Sequence, residues 1–395
     1  MTEPVRRASL PVLSILTALA PLGMHMMVPS LPFMARDLGV SPGSIQTVVT
    51  LYVFGLAVGQ LVYGPLSDRF GRKPMIIIGL LLYSAAMTAG ALAPTFGSLV
   101  PFRLAQSLGG CGALVLTRAM VRDTATPARA AGQMALLNLS ISAASAIAPA
   151  IGGLITVHFG WRFIMGGLAA AGIIGLLVVI FRVPETHQNR IQVPSIAAMF
   201  GSFRSLLANP TFTGYVIGGA CTTTALYGFL SVSPFLLIEY LHQPAEEVGY
   251  YYVLLAGGIS TGSILANRLS SRTTILRMAR VGSGISVVAA LSLLAFTLTG
   301  TLQVWTMIGS MTIFAIATGV ASPNTATGAM STDPARIGAA AGLYGSLQMG
   351  FGALCTAITG AWHDGTSLPV AVLLSVSSIT GQLALTFMVK APPKG

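Results

Sequence analysis

Two ionisable side chains lie within long apolar stretches of the sequence. His25 stands in Gly23-Met24-His25-Met26-Met27-Val28-Pro29, and Arg103 is the one lysine or arginine well inside an apolar stretch. An imidazole has a free pKa of about 6.5, so it can bind and release protons near neutral pH. An arginine in a membrane helix costs about 2.5–3.5 kcal/mol on insertion scales and should face a cavity or a partner. His25 is therefore a candidate for proton coupling, and Arg103 is a candidate for contact with a cavity or a partner.

Each of the two also has a purely structural interpretation. His25 can be a hydrogen-bonded packing residue, and Arg103 can reach a helix end and bond to backbone carbonyls. Gln106 and Gly110 follow Arg103 at helical spacing and share its face. Carboxylates are not available for proton transfer in the apolar stretches. All ten fall at their ends or in loops, as Glu3, Asp37, Asp68, Asp123, Glu185, Glu239, Glu246, Glu247, Asp333 and Asp364.

Other polar and aromatic side chains near the middle of apolar stretches are candidates for binding a solute. Together with His25 and Arg103 they are Tyr52, Gln106, Asn138, Ser142, Thr222, Thr223, Tyr227 and Gln348. Serine and asparagine also form ordinary hydrogen bonds between membrane helices, so that interpretation stays open. The three cysteines lack CxxC spacing, and no HExxH or GxSxG pattern occurs in an apolar stretch. We predict no metal site, no cofactor and no catalytic residue.

The composition predicts a membrane protein. Of the 395 residues, 54% are hydrophobic and only 8% are charged, whereas soluble domains have about 25% charged residues. The net charge of +11 does not indicate a nucleic-acid partner, because the basic residues mark short loops rather than one folded face. The expected surroundings are a lipid bilayer.

The sequence contains twelve apolar stretches of the length that crosses a bilayer, about 20 residues. They cover residues 10–33, 44–66, 75–94, 98–120, 131–156, 161–183, 211–238, 247–267, 276–298, 303–329, 337–361 and 368–389. No cleavage site follows the first one, which is therefore predicted to be retained. The expected fold is all-α, with twelve transmembrane helices.

The distribution of basic residues predicts the orientation of these helices. With the amino terminus inside, the cytoplasmic side holds Arg6, Arg7, Arg69, Arg72, Lys73, Arg118, Arg122, Arg129, Arg182, Arg190, Arg204, Arg268, Arg272, Arg277, Arg280, Arg336, Lys390 and Lys394. The opposite side holds Arg36 and Arg162. Because basic loops stay in the cytoplasm, both termini are predicted to be cytoplasmic.

The longest polar interruption divides the sequence into two sets of six stretches. We predict a six-helix bundle over residues 1–183, a cytoplasmic linker over 184–210 and a second bundle over 211–395. The halves repeat weakly at an offset near 200 residues, since Pro32-Phe33 matches Pro234-Phe235. Paired halves are typical of transporters with a binding site near the middle of the membrane.

Several motifs carry a resemblance to a known family. The segment Gly64-Pro65-Leu66-Ser67-Asp68-Arg69-Phe70-Gly71-Arg72-Lys73-Pro74 resembles the signature of the major facilitator superfamily. Its drug:proton antiporters are similar at Arg103-Leu104-Ala105-Gln106 with Gly109, Gly110 and Gly112, at Ala148-Pro149-Ala150-Ile151-Gly152-Gly153 and at Pro184-Glu185-Thr186. The bicyclomycin and chloramphenicol resistance (Bcr/CflA) branch is similar at Met26–Pro32, Arg118–Asp123, Gly160–Phe163 and Gln348.

The resemblance implies roles for three of these motifs. It links Arg103 to proton transfer or substrate contact, which makes Arg103 a second candidate for proton coupling beside His25. Gly64, Asp68, Arg69, Gly71, Arg72 and Lys73 would form a cytoplasmic gate that holds the two halves closed. Alternatively, the basic residues of this loop serve orientation alone. Pro149, Gly152 and Gly153 would seal the transporter against leakage, or they would serve helix packing without any part in coupling.

His25 departs from the family pattern, because relatives usually have an aspartate at this place. A histidine is neutral when empty and positive when it carries a proton, so the site should favour neutral or anionic solutes. The resemblance thus implies a monomeric multidrug exporter of the bacterial inner membrane, driven by proton antiport through alternating access. Alternatives are a transporter of one metabolite and, less favoured, a membrane receptor without transport. An enzyme is not expected.

Overall fold

The computed structural model of the chain describes residues 8–187 and 196–390, which are helical and contain no strand. The helices are α1 (Leu10–His25), α2 (Leu31–Asp37), α3 (Pro42–Ile45), α4 (Thr47–Phe70), α5 (Arg72–Ala91), α6 (Phe96–Thr124), α7 (Pro127–Phe159), α8 (Trp161–Arg182), α9 (Ile196–Leu207), α10 (Pro210–Gly219), α11 (Leu226–Phe235), α12 (Ala245–Leu269), α13 (Ile275–Leu298), α14 (Val304–Met330), α15 (Ile337–Ala361) and α16 (Leu368–Phe387). Glu3, Arg6, Arg7, Arg190 and Lys394 lie outside the described residues.

Local sequence signals explain several helix starts. Proline occupies the first turn of α7, α10 and α16, where its missing N–H group leaves no hydrogen bond unmade. The Asn209 side chain accepts hydrogen bonds from the backbone N–H groups of Thr211 and Phe212 at the start of α10. Thr95 and Ser98 form a capping box at the start of α6.

The described residues belong to two compact units. The first unit is drawn from Met1–Val40 and Leu51–Pro194, and the second from Ser41–Thr50 and Ser195–Gly395. The second unit thus includes a short segment that precedes residue 184 in the chain. Within that unit, the Gln46 side-chain oxygen accepts hydrogen bonds from the hydroxyls of Ser231 and Thr359.

Eleven helical segments of the described residues are long and apolar enough to cross a membrane. The one predicted span that is not among these eleven is 337–361, which corresponds to α15. Its 25 residues rise about 37 Å at 1.5 Å per residue, enough for a hydrocarbon core of about 30 Å. Its glycine, serine and glutamine residues lower its hydropathy. The protein is an all-α, multi-pass membrane protein.

The first predicted span, 10–33, lies within the helical segment Leu10–Asp37, whose hydrogen bonding changes after His25. Helix α1 ends at His25, a short 3-10 segment covers Val28–Ser30, and α2 begins at Leu31. Pro29 lies in the 3-10 segment and has no N–H group for a continuing helix. This change places His25 at the end of α1.

The segment 64–74 was predicted to be a loop, and this prediction was wrong. Helix α4 continues to Phe70 and α5 starts at Arg72, so the turn consists of Gly71 alone. Gly71 has φ of +99°, a left-handed conformation that side chains with a Cβ rarely adopt. The charged residues of this segment therefore occupy the last turn of α4 and the first turn of α5.

Two further differences concern the second unit. Residues 196–207 of the predicted linker form the helix α9. The seventh predicted span, 211–238, contains π-helical segments at Ala220–Thr224 and Leu236–Tyr240. A π segment widens the helix by one residue and often marks a functional position.

Candidate functional site

A fully buried polar cluster lies between α1, α4, α5 and α6 of the first unit. It consists of Gly23, Tyr52, Tyr83, Arg103 and Gln106, and we call it the Arg103 cluster. Each of the four side chains beyond glycine has 0% exposure. The sequence placed Tyr52, Arg103 and Gln106 among the candidates, and the structure brings these three together. Tyr83 was not a candidate, because nothing in its local sequence distinguishes it.

The guanidinium of Arg103 is held on one side. Its Nη1 atom donates to the carbonyl oxygen of Gly23 at 3.3 Å and to Oε1 of Gln106 at 2.5 Å. The same group lies over the ring of Tyr52, 4.7 Å from the ring centroid, which is a favourable cation–π geometry. Among the described residues, the Nε and Nη2 atoms of Arg103 are buried without a hydrogen-bond partner.

Two tyrosines anchor this cluster to α1. The Tyr52 hydroxyl donates to the carbonyl oxygen of Ala20 at 2.6 Å, and the Tyr83 hydroxyl donates to that of Leu19 at 3.3 Å. Gly23 permits the close approach. A Cβ atom at this position would lie 2.6 Å from Nε2 of Gln106 and 3.0 Å from the Tyr52 hydroxyl.

His25 lies two residues beyond Gly23, at the end of α1. Its side chain is partly exposed, and the structure records no hydrogen bond from its ring to a described residue. The chain that follows is held by α7. A Cβ atom on Gly152 would lie 2.1 Å from the Met26 carbonyl oxygen, and the buried hydroxyls of Ser30 and Thr156 are hydrogen-bonded at 2.5 Å.

The segment around Gly71 contains an ionic network that we call the Arg72 cluster, formed by Ser67, Asp68, Arg72, Asp123 and Glu185. Arg72 is buried, with 7% exposure. Its Nε atom contacts Asp123 Oδ2 at 2.9 Å, and its Nη1 atom contacts Asp68 Oδ1 at 2.6 Å and Ser67 Oγ at 2.5 Å. Arg72 is the buried member of these pairs, because the side chains of Asp68 and Asp123 are 42% and 21% exposed. Loss of both carboxylates would leave a buried arginine without an ion pair.

Glu185 caps the amino terminus of α5 in this cluster. Its carboxylate accepts hydrogen bonds from the backbone N–H groups of Arg72 at 3.0 Å and Lys73 at 3.1 Å. The first N–H groups of a helix have no partner within the helix and favour a negative charge. Asp123 and Glu185 were not among the site candidates. The sequence did contain a signal for both. The chain has only ten acids, and these two lie in the segments Arg118–Asp123 and Pro184-Glu185-Thr186, which resemble family motifs.

The other candidates of the first unit are less enclosed. Asn138 and Ser142 are exposed on α7, and Asn138 Oδ1 accepts a hydrogen bond from Arg118 Nη2 at 3.3 Å. Pro149 lies inside α7, which continues through it to Phe159. Arg69 lies over the ring of Phe70, 5.2 Å from its centroid.

The candidates of the second unit meet at the π segment Ala220–Thr224. Gln348 Nε2 donates to Thr223 Oγ1 at 2.6 Å, and the Gln348 carbonyl accepts from Thr224 Oγ1 at 2.9 Å. Thr222 is fully buried, and its hydroxyl donates to Ser283 Oγ at 3.2 Å. Tyr227 is partly exposed at the second position of α11, three residues after the end of the π segment.

These sites bring together a buried arginine, an amide and carboxylates through hydrogen bonds and ion pairs. Over residues 8–187 and 196–390, no group of three or more His, Cys, Asp or Glu side chains is arranged to hold a metal ion. The three cysteines of the sequence are free and buried. The first unit contains the buried cation Arg103 and the partly exposed imidazole of His25 at the end of α1. It also contains the ionic network of the Arg72 cluster at the start of α5.

Comparison with known proteins gives one consistent result. The model of the Major Facilitator Superfamily matches residues 13–356. The bicyclomycin resistance protein homolog of Haemophilus influenzae is 27% identical over 379 residues, covering 95% of this chain and 94% of the relative. Multidrug resistance protein D of Escherichia coli is 29% identical over 354 residues, covering 87% and 86%. The crystal structure of a D-xylose–proton symporter has a TM-score of 0.72 at 15% identity, covering 96% and 97%.

Proposed function

Because the chain belongs to the major facilitator superfamily, we propose that it is a secondary transporter that exports small amphipathic drugs across the bacterial inner membrane in exchange for protons. The observation that carries drug export is the alignment with a relative named for bicyclomycin resistance, which covers 95% of the chain. The aligned part of this chain includes the residues of the Arg103 and Arg72 clusters. As a member of this family, the protein is a transporter and not an enzyme.

Transport in this proposal follows alternating access by a monomer with both termini in the cytoplasm. His25 takes up a proton from one side and releases it to the other. Its partly exposed ring, which makes no hydrogen bond to a described residue, supports this role. The change from α to 3-10 hydrogen bonding after His25 supports it as well, because transporters bind solutes and coupling ions where a spanning helix departs from regular α geometry.

The Arg72 cluster has the proposed role of a cytoplasmic gate element. It ties the end of α4 to the start of α5 and to α6 through Asp68 and Asp123. Such a network makes the end of the bundle move as one body, which alternating access requires. Gly152 likewise has a proposed role in sealing, supported by its contact with the chain that follows His25.

The charge of the binding region favours neutral or anionic solutes in this proposal. The first unit contains four described acidic residues, and all of them have other partners. Asp37 is paired with Arg162, Asp68 and Asp123 with Arg72, and Glu185 with the start of α5. The cationic Arg103 therefore has no carboxylate neighbour that would attract a cationic drug.

The proposal is tested by flux in proteoliposomes that contain the purified protein and an imposed proton gradient. The solutes are chloramphenicol as a neutral compound, an aromatic carboxylate and a lipophilic quaternary cation. We expect gradient-driven flux of the first two and little flux of the third. Binding without flux would overturn transport, and a quaternary cation as the best substrate would overturn the assignment of solute charge. Flux of one compound from a broad panel would favour the single-metabolite alternative.

A further inference from the structure

The interior of the first unit contains an arginine whose charge is not balanced by any side chain among residues 8–187 and 196–390. Arg103 is fully buried, and it forms no ion pair with any described residue. Its neighbours in the Arg103 cluster are an amide, two tyrosine rings and backbone carbonyls of α1. A buried charge is strongly unfavourable unless it is paired or fully hydrogen-bonded.

The unsatisfied atoms of Arg103 lie on one edge of the guanidinium group. Nη1 has two acceptors, whereas Nε and Nη2 have none among the described residues. By the covalent geometry of arginine, Nε and Nη2 present two parallel N–H groups on the same side. That edge is the fork that binds an anion through two hydrogen bonds.

The surroundings hold this fork in one orientation. Gln106 binds the opposite edge, and the Tyr52 ring supports the guanidinium plane at 4.7 Å. Tyr52 is itself fixed to α1 through its hydroxyl. Because Tyr52 is buried and bonded to α1, and Gln106 is buried and bonded to the guanidinium, the free edge is preorganised for a ligand and needs little rearrangement.

From this geometry we propose that the Arg103 cluster binds one small monovalent anion on the Nε and Nη2 edge of Arg103. The anion supplies the negative charge that a carboxylate would supply in a self-contained ion pair. Its chemistry is that of a halide or a carboxylate group, and the full enclosure of the cluster favours a small ion. Its source is either an inorganic anion of the cell or the carboxylate of a bound solute.

The test measures anion binding by the purified full-length protein, so it does not depend on transport. Radiolabelled chloride and radiolabelled acetate are titrated separately against protein in sodium gluconate, whose anion is too bulky for an enclosed site. We expect saturable binding of one equivalent and a higher unfolding temperature in the binding anion than in gluconate. Chloride binding identifies an inorganic source, whereas binding of acetate alone identifies a solute carboxylate.

Variants on and beside the cluster make the test specific. We expect Arg103→Gln to weaken anion binding at least tenfold. Gln106→Leu, which keeps the charge but frees the guanidinium, should weaken it several-fold. Arg118→Gln removes an arginine from the same helix α6 and should leave binding unchanged. Size-exclusion profiles show which variants are folded. If Arg103→Gln does not fold, Gln106→Leu still tests the proposal.

Two results would overturn the proposal. One is the absence of saturable binding of either anion together with equal unfolding temperatures in chloride, acetate and gluconate, which would mean that water alone fills the site. The other is an equal loss of binding in Arg118→Gln and Arg103→Gln, which would indicate general electrostatic attraction. Drug flux can succeed or fail independently of both results.

Discussion

Gly71 is the residue on which the geometry of the Arg72 cluster depends most directly. It forms the whole turn between α4 and α5 and has φ of +99°. A Cβ atom there would also lie 2.5 Å from Oε2 of Glu185. The glycine therefore serves both the backbone conformation and the approach of the carboxylate that caps α5.

Replacing Gly71 by alanine should destabilise the protein by about 1–3 kcal/mol, the cost of a strained backbone position. The steric conflict with Glu185 adds to this loss. Unfolding temperature in detergent is the measurement. Gly64→Ala is the matched control, because Gly64 lies in α4 of the same motif and a Cβ atom there meets nothing within 4 Å. Equal unfolding temperatures for the two variants would contradict this account.

His363 is a titratable residue outside the membrane-spanning segments, between α15 and α16. Its ring makes an edge contact with Phe235, with centroids 5.8 Å apart. Burial lowers the pKa of His363 below its usual value, and the nearby Asp364 and Glu239 oppose that shift without cancelling it. The folded protein therefore binds this proton less readily than the unfolded chain.

Acidification should weaken the folded state through His363. Above the ordinary histidine pKa of about 6.5 the ring is neutral in both states and contributes no pH dependence. As pH falls below that value, the unfolded chain takes up the proton first, and stability is lost. Unfolding temperatures from pH 7.5 to 5.5 should fall less for His363→Gln than for the unmodified protein. Parallel curves would show that His363 contributes nothing.

At the scale of helices, the change in hydrogen bonding after α1 and the glycine of α7 belong together. Gly152 lies against the Met26 carbonyl, and Ser30 and Thr156 are hydrogen-bonded one turn further along α7. Helix α7 therefore supports the 3-10 segment that follows His25. The motif that resembles an antiporter signature has a direct structural use here, which is the close approach of two backbones.

Gly152→Val should displace Met26 and lower stability by about 1–3 kcal/mol, the usual cost of overpacking. It should also reduce proton-driven flux by more than the lost stability explains, because the chain beside His25 moves. Gly166→Val is the control, since a Cβ atom on Gly166 in α8 meets nothing within 4 Å. Unfolding temperature and flux are measured on the same preparations. Full flux in a stable Gly152→Val protein would contradict this role.

At the scale of the whole molecule, the question is how one proton drives the proposed export. Each pH unit across the membrane supplies about 1.4 kcal/mol per proton, and 100 mV supplies about 2.3 kcal/mol per charge. One pH unit alone can therefore sustain about a tenfold gradient of a neutral drug. The described part of the chain places no unpaired carboxylate in the first unit for this purpose, which leaves His25 as the proposed carrier.

His25→Ala should abolish gradient-driven drug accumulation in proteoliposomes while equilibrium drug binding remains. The reason is that binding uses the polar walls of the site, whereas coupling needs a group that changes protonation. His158→Ala is the control, because His158 is exposed at the end of α7 and bonds only to the Leu154 carbonyl in the described structure. Unchanged coupling in His25→Ala would remove His25 from the mechanism.

The amino-acid sequence determined the features that depend on composition and local pattern. Apolar length and the positions of charged residues predict an all-α membrane protein, and eleven of twelve predicted spans meet the criteria for membrane crossing. The lack of carboxylates in the apolar stretches could also be read directly, because there are only ten to place. Each of these features is a property of a segment and does not need a partner.

Only the tertiary structure decided which groups meet. Arg103 and its neighbour Gln106, one turn on in α6, could be recognised from the sequence. The position of the free guanidinium edge also depends on Gly23 and Tyr52, which approach from other helices. Glu185 caps a helix that begins 113 positions earlier in the chain. Several hydrogen bonds of both clusters join residues that are distant in sequence. For that reason local pattern identified the polar residues of this transporter but not their bonds.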